Sequence, residues 1–111
     1  MPALLNAARL AEQAASPRPE LHSGIARAWS AALPAAAVRI REAGRPDLPA
    51  ALHELRSGAV AVGLAELPAV LAGIEQEAEA GRPPGAAALE EALALAERSA
   101  AALGDWWGSP R

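Results

Sequence analysis

His53, Glu54, Arg56 and Ser57 stand close together in the run "HELRSGAVAVG", His53 to Gly63, of a chain otherwise dominated by Ala and Leu. An imidazole can act as a nucleophile, an acid–base group or a metal ligand, because it changes charge near neutral pH. A metal site is poorly supported: His22 is the only other histidine, cysteine is absent, and a catalytic zinc needs three protein ligands. A hydrolytic triad fares no better. Ser57 meets His53 on consecutive helical turns, but nothing in the sequence marks an orienting acid or an oxyanion hole.

Two readings of His53 then stay open: a solvated surface histidine, the usual fate of such a residue, or an exposed reactive ring. Three neighbours favour the second. Arg56, one turn on, is a permanent cation able to stabilise a phosphoryl group or another anion at the imidazole. Ser57 and Gly58 are small where Leu or Lys could have stood, which leaves surface open to a partner.

The elements that position these residues are set off by Pro and Gly. "SPRP" (Ser16 to Pro19), "GRPDLP" (Gly44 to Pro49), Gly63 and "GRPPG" (Gly81 to Gly85) separate segments with helical apolar spacing. The first helix is expected over about Ala3 to Ala15, with Leu4, Ala8 and Ala11 on one side. The second opens at Pro19, carries Leu21, Ile25, Trp29, Ala32, Ala36 and Ile40, is expected to bend near Ser30 because of Pro34, and stops at Gly44. The third starts near an Asp47 N-cap and presents Leu48, Leu52, Leu55, Ala59 and Val62. The fourth carries Leu64, Leu67, Leu71, Ile74 and Ala78, with Pro68 early enough to be tolerated. The fifth carries Leu89, Leu93, Ala96, Ala100 and Leu103 and ends at Gly104.

No segment alternates with period two, so no sheet is expected. Short connections between helices of similar length predict an all-α fold: an up-and-down antiparallel four-helix bundle with an additional N-terminal helix. The whole chain, residues 1–111, is read as one domain, with a core over about 19–103 and a tail over 104–111. In that tail Trp106 and Trp107 either fold back over the bundle end or form an exposed contact.

At 100° per residue, His53 lies beside the Leu52, Leu55 and Ala59 stripe and shares its face with Pro49, Ala50, Arg56, Ser57 and Val60. Arg56 is therefore expected at the surface, where its removal alters stability by only about 0.5 kcal/mol.

Bulk composition narrows the partners. The net charge is -3, and the ten basic residues are all Arg and scattered, while Phe and Tyr are absent. Clustered cations and aromatic platforms, which nucleic-acid binding needs, are missing, so no nucleic-acid partner is expected. The absence of cysteine suits a reducing compartment. No secretory signal or bilayer-spanning stretch is evident, so the expected location is cytoplasmic, without direct membrane contact.

His53, Leu55, Arg56, Ser57, Gly58 and Gly63 together resemble the signature of histidine-containing phosphotransfer (HPt) domains. That signature has a His, a Leu two on, a Lys or Arg three on, two small residues and a Gly ten on. The "LxxLxxxIE" character of Leu67 to Glu75 also fits, and the likeness covers roughly Pro19 to Leu103. Two positions depart from it, since the family commonly has Gly at the place of Ser57 and Lys at that of Arg56.

The resemblance implies a phosphorelay carrier in two-component signalling, a phosphotransfer intermediate rather than a stand-alone kinase. His53 would accept a phosphoryl group from a receiver aspartate and pass it to another receiver, with Arg56 stabilising the charge. Ala50, Ser57, Gly58 and Val60, with the preceding helix near Trp29 and Leu33, would form the docking surface, although Trp29 also reads as core filling. The expected partners are response-regulator receivers or a hybrid sensor kinase. The chain would need no metal or cofactor of its own, the magnesium belonging to the receiver.

"HELRS" also resembles the "HELRTP" box of dimeric sensor-kinase phosphoacceptor helices, where the glutamate beside the histidine handles the imidazole proton. Against that version, "GRPDLP" ends only four residues before His53, and Gly63 turns the chain too early for a long hairpin arm. A helical interaction module without phosphochemistry is the third alternative.

Overall fold

Leu4 and Leu5, expected inside the first helix, instead lie ahead of it and pair with the turn at Gly63. Leu5 forms an isolated antiparallel bridge with Leu64. Asn6 N–H donates to the Gly63 carbonyl at 2.8 Å, and Ala65 N–H donates to the Leu4 carbonyl at 2.9 Å. Helix α1 then spans Ala7–Ala14, shorter than expected because the Asn6 side chain caps it, accepting from Arg9 N–H at 3.2 Å. Its buried residues are Leu10 and Gln13, while Ala8 and Ala11 are exposed.

The computed structural model describes residues 3–43 and 46–109. The Gly44 stop expected for the second helix lies outside them. Four further helices follow: α2 (Pro19–Glu42), α3 (Leu48–Ala61), α4 (Glu66–Glu79) and α5 (Ala86–Gly108). Among the described residues there is no strand beyond the single bridge, so the fold is all-α, with principal extents of 45 × 27 × 20 Å. Helix α3 packs against α2 and α4, α5 packs against the same two, and α1 rests on α2.

The core is aliphatic, as a chain without Phe or Tyr requires. Leu10, Leu52, Leu67, Leu71 and Leu103 are at most 1 % exposed, and each contributes about 1.5–3 kcal/mol by leaving water. The expected stripes are buried through Leu52, Leu55 and Ala59 of α3 and Leu67 and Leu71 of α4, with Val62 and Leu64 buried in the turn between them.

Helix α2 keeps the expected stripe only in part: Ile40 is buried and Trp29 and Ala36 half-buried, but Leu21 and Ile25 are exposed, and Ala26 and Leu33 point inward instead. Length explains the difference. At 24 residues α2 runs about 36 Å, against about 21 Å for the 14 residues of α3, so its first turns have no α3 beside them. The helix is continuous through Pro34.

Gly104 does not end α5, which continues to Gly108 and takes in most of the expected tail. An isolated glycine costs a helix only about 1 kcal/mol. Trp106 and Trp107 more than offset that by packing on the core, edge to face with ring centroids 5.0 Å apart. None of the helices in the described residues is long and apolar enough to cross a membrane.

Candidate functional site

The turn between α3 and α4 aligns the residues around His53. Gly63 has φ +90, a left-handed conformation that side chains disfavour, and a Cβ there would lie 2.8 Å from Leu10 Cδ2. Glycine is needed on both counts. Gln13, buried in α1, adds a hydrogen bond from Nε2 to the Ala61 carbonyl at 3.1 Å. With the turn fixed from both sides, His53 in α3, ten residues before Gly63, faces Glu75 in α4, twelve after it.

His53 Nδ1 lies 3.2 Å from Glu75 Oε1 and 3.0 Å from Arg56 Nη2. Arg56 Nε donates to the other oxygen, Glu75 Oε2. The three side chains thus form a closed triangle. On the opposite side of the ring, Nε2 has only Ser57 Oγ in contact among the described side chains, at 3.5 Å.

Burial grades across the cluster. The Glu75 side chain is 12 % exposed, Arg56 33 % and His53 61 %. A carboxylate this shielded requires donors, and Arg56 Nε supplies one, with a ring nitrogen of His53 beside the other oxygen.

A neutral imidazole carries one proton, on one nitrogen. With the proton on Nδ1, the ring donates to Glu75 and Nε2 presents its lone pair to solvent. With the proton on Nε2, the Nδ1 lone pair opposes an anionic oxygen at 3.2 Å, relieved only by Arg56. Glu75 favours the first tautomer, whereas Arg56 Nη2, which can only donate, favours a lone pair on Nδ1; in either case Nε2 lies on the side of the ring away from both.

Of the other expected site residues, Ala50, Ser57 and Val60 are exposed on α3. Gly58 is half-buried, and a Cβ on it would sit 2.9 Å from both Cδ1 and Nε1 of the Trp29 indole. Its glycine serves the close approach of α2 to α3. Trp29 is partly buried against the core, and Leu33 is buried rather than available at the surface. Arg56 is less exposed than expected and lies on the Nδ1 side of the ring, locked to Glu75.

Glu54 turns away from His53 and pairs with Arg39 of α2 at 3.0 Å, both side chains largely exposed. His22 is half-buried on α2. Among the described residues, no three His, Cys, Asp or Glu side chains are grouped closely enough to hold a metal ion.

Glu75 is the residue that sequence reasoning did not place in the site. It was noticed only as the end of a helix pattern. Its distance beyond Gly63, nearly matching that of His53 before it, was the available signal. No family model, curated protein or solved structure matches this chain.

Proposed function

We propose that this chain is a histidine phosphotransfer domain of a two-component phosphorelay, in which His53 Nε2 accepts a phosphoryl group from one receiver aspartate and delivers it to another. Helices α2 to α5 form its up-and-down antiparallel four-helix bundle, with α1 as the additional helix. The observation that carries this reading is the asymmetry of His53: Nδ1 sits against Glu75 and Arg56, while Nε2 faces outward beside the small Ser57.

In the transfer, the Nε2 lone pair attacks phosphorus as the P–O bond to the receiver aspartate breaks, and that electron pair leaves with the carboxylate. Nδ1 keeps its proton, and the positive charge of the phosphorylated ring is balanced by Glu75 at 3.2 Å. Arg56 acts by holding Glu75. Onward transfer reverses these steps on a second receiver. Phosphoryl transfer is mainly positioning and charge neutralisation, and magnesium on the receiver neutralises the phosphoryl oxygens. The exposed Ala50, Ser57 and Val60 surround the ring as the docking face, in a cytoplasmic setting where receivers are found.

The kinase-like alternative needs a glutamate beside the histidine that handles its proton. The Glu54–Arg39 pair favours the phosphotransfer reading, because it holds that carboxylate on α2. Incubation with an acetyl-phosphate-charged receiver tests the proposal: the wild type takes up acid-labile label, His22→Gln retains it and His53→Gln loses it. Label persisting in His53→Gln overturns the reading.

A further inference from the structure

We propose that the Ser57 hydroxyl is a ligand for the phosphoryl group on His53 Nε2 and prolongs the lifetime of phosphohistidine. This inference rests on the phosphotransfer reading. Ser57 lies one helical turn beyond His53, its Oγ is 3.5 Å from Nε2, and it has no other partner among the described residues. A serine inside a helix ordinarily bonds back to the carbonyl four residues earlier, so this hydroxyl is uncommitted.

At 3.5 Å the contact is at the outer limit of a hydrogen bond, too long to tie up the Nε2 lone pair before attack. Once phosphorus is bonded to Nε2, its terminal oxygens project past the nitrogen toward Oγ, and rotation about the serine Cα–Cβ bond brings the hydroxyl to one of them. Arg56 and Glu75 are engaged with each other on the Nδ1 side.

The direction of the effect follows from the reaction. In hydrolysis the N–P bond breaks, its electron pair returns to Nε2, and a water oxygen bonds to phosphorus to give inorganic phosphate. The transition state is loose and metaphosphate-like, with less negative charge on the terminal oxygens than in the phosphoryl ground state. A donor to those oxygens therefore stabilises the phosphorylated protein more than the transition state, and hydrolysis slows. The charge-assisted bond is stronger than a neutral one.

The test loads the full chain, Ser57→Ala and Ser57→Thr from a phosphorylated receiver, removes the receiver, and follows loss of phosphohistidine by ³¹P NMR at neutral pH. Ser57 is exposed and alanine favours helix, so the variants retain the fold, as circular dichroism verifies. Ser57→Ala is expected to lose label about five-fold faster, the usual worth of one hydrogen bond, with a displaced phosphorus resonance. Ser57→Thr, which keeps the hydroxyl, should decay like wild type. Equal decay in all three proteins, or slower decay in Ser57→Ala, overturns the inference and leaves the phosphotransfer reading standing. A wild type that takes no label on His53 overturns both.

Discussion

Glu75 Oε1 and His53 Nδ1 approach to 3.2 Å across the α3–α4 interface, although 22 residues separate them in the chain. A surface histidine without a task has no need of a carboxylate that is itself only 12 % exposed. Glu75→Gln retains an acceptor for Nδ1–H but removes the charge that favours a proton there. Phosphoryl uptake from a charged receiver should fall by about 10²-fold. Glu77→Gln, which alters an exposed pair with Arg82, should leave uptake unchanged and is the control. Equal rates in the two variants would remove Glu75 from the site.

Arg56 links stability to the site. Arg56→Ala leaves the shielded Glu75 without its guanidinium, at an expected cost of about 1–2 kcal/mol rather than the 0.5 kcal/mol of a free surface residue. Arg39→Ala breaks a pair whose side chains are 57 % and 69 % exposed and should cost less than about 0.5 kcal/mol. Urea unfolding of the two variants side by side checks the ordering.

Glu54 separates the phosphotransfer reading from the kinase-like one. With its carboxylate on Arg39, Glu54→Ala should transfer phosphate within about three-fold of wild type, whereas loss of a proton-handling residue costs about 10²-fold or more. Single-turnover transfer between two receivers distinguishes these outcomes.

Gly58 and Gly73 should respond oppositely to the same change. Replacing a helical glycine by alanine ordinarily gains about 0.5–1 kcal/mol, and at Gly73 a Cβ meets nothing within 4 Å, so Gly73→Ala should stabilise. At Gly58 the new Cβ presses on the Trp29 ring at 2.9 Å, and overpacking of about 1–3 kcal/mol outweighs the gain. Thermal melts should therefore rank Gly73→Ala above wild type and Gly58→Ala below it, with Trp29 emission altered in the latter.

The helices were legible because proline and glycine divide the chain where helices begin and break, and because leucines in α3 and α4 stand out against their polar neighbours. Alanine weakens that contrast in α2. Two of its large apolar residues, Leu21 and Ile25, marked a plausible stripe, but they are exposed on the first turns, beyond the length of α3. The pairing of Leu4 with Ala65, and the continuation of α5 past Gly104, depend on contacts with distant residues that local spacing does not encode. For the site, one helical face gave His53, Arg56 and Ser57. The close approach of Trp29 to Gly58 was not legible because smallness alone does not distinguish an open surface from a tight helix contact, and Glu75 belongs to the site only through the turn at Gly63.

The central claim is that Nε2 of His53 carries the phosphoryl group while Nδ1 keeps its proton for Glu75. The most direct measurement is ³¹P–¹⁵N correlation on ¹⁵N-histidine-labelled protein after exposure to an acetyl-phosphate-charged receiver. Phosphorus coupled to Nε2 of His53, with no signal in His53→Gln, is the predicted result. Phosphorus on Nδ1, on His22 or on no histidine would contradict it.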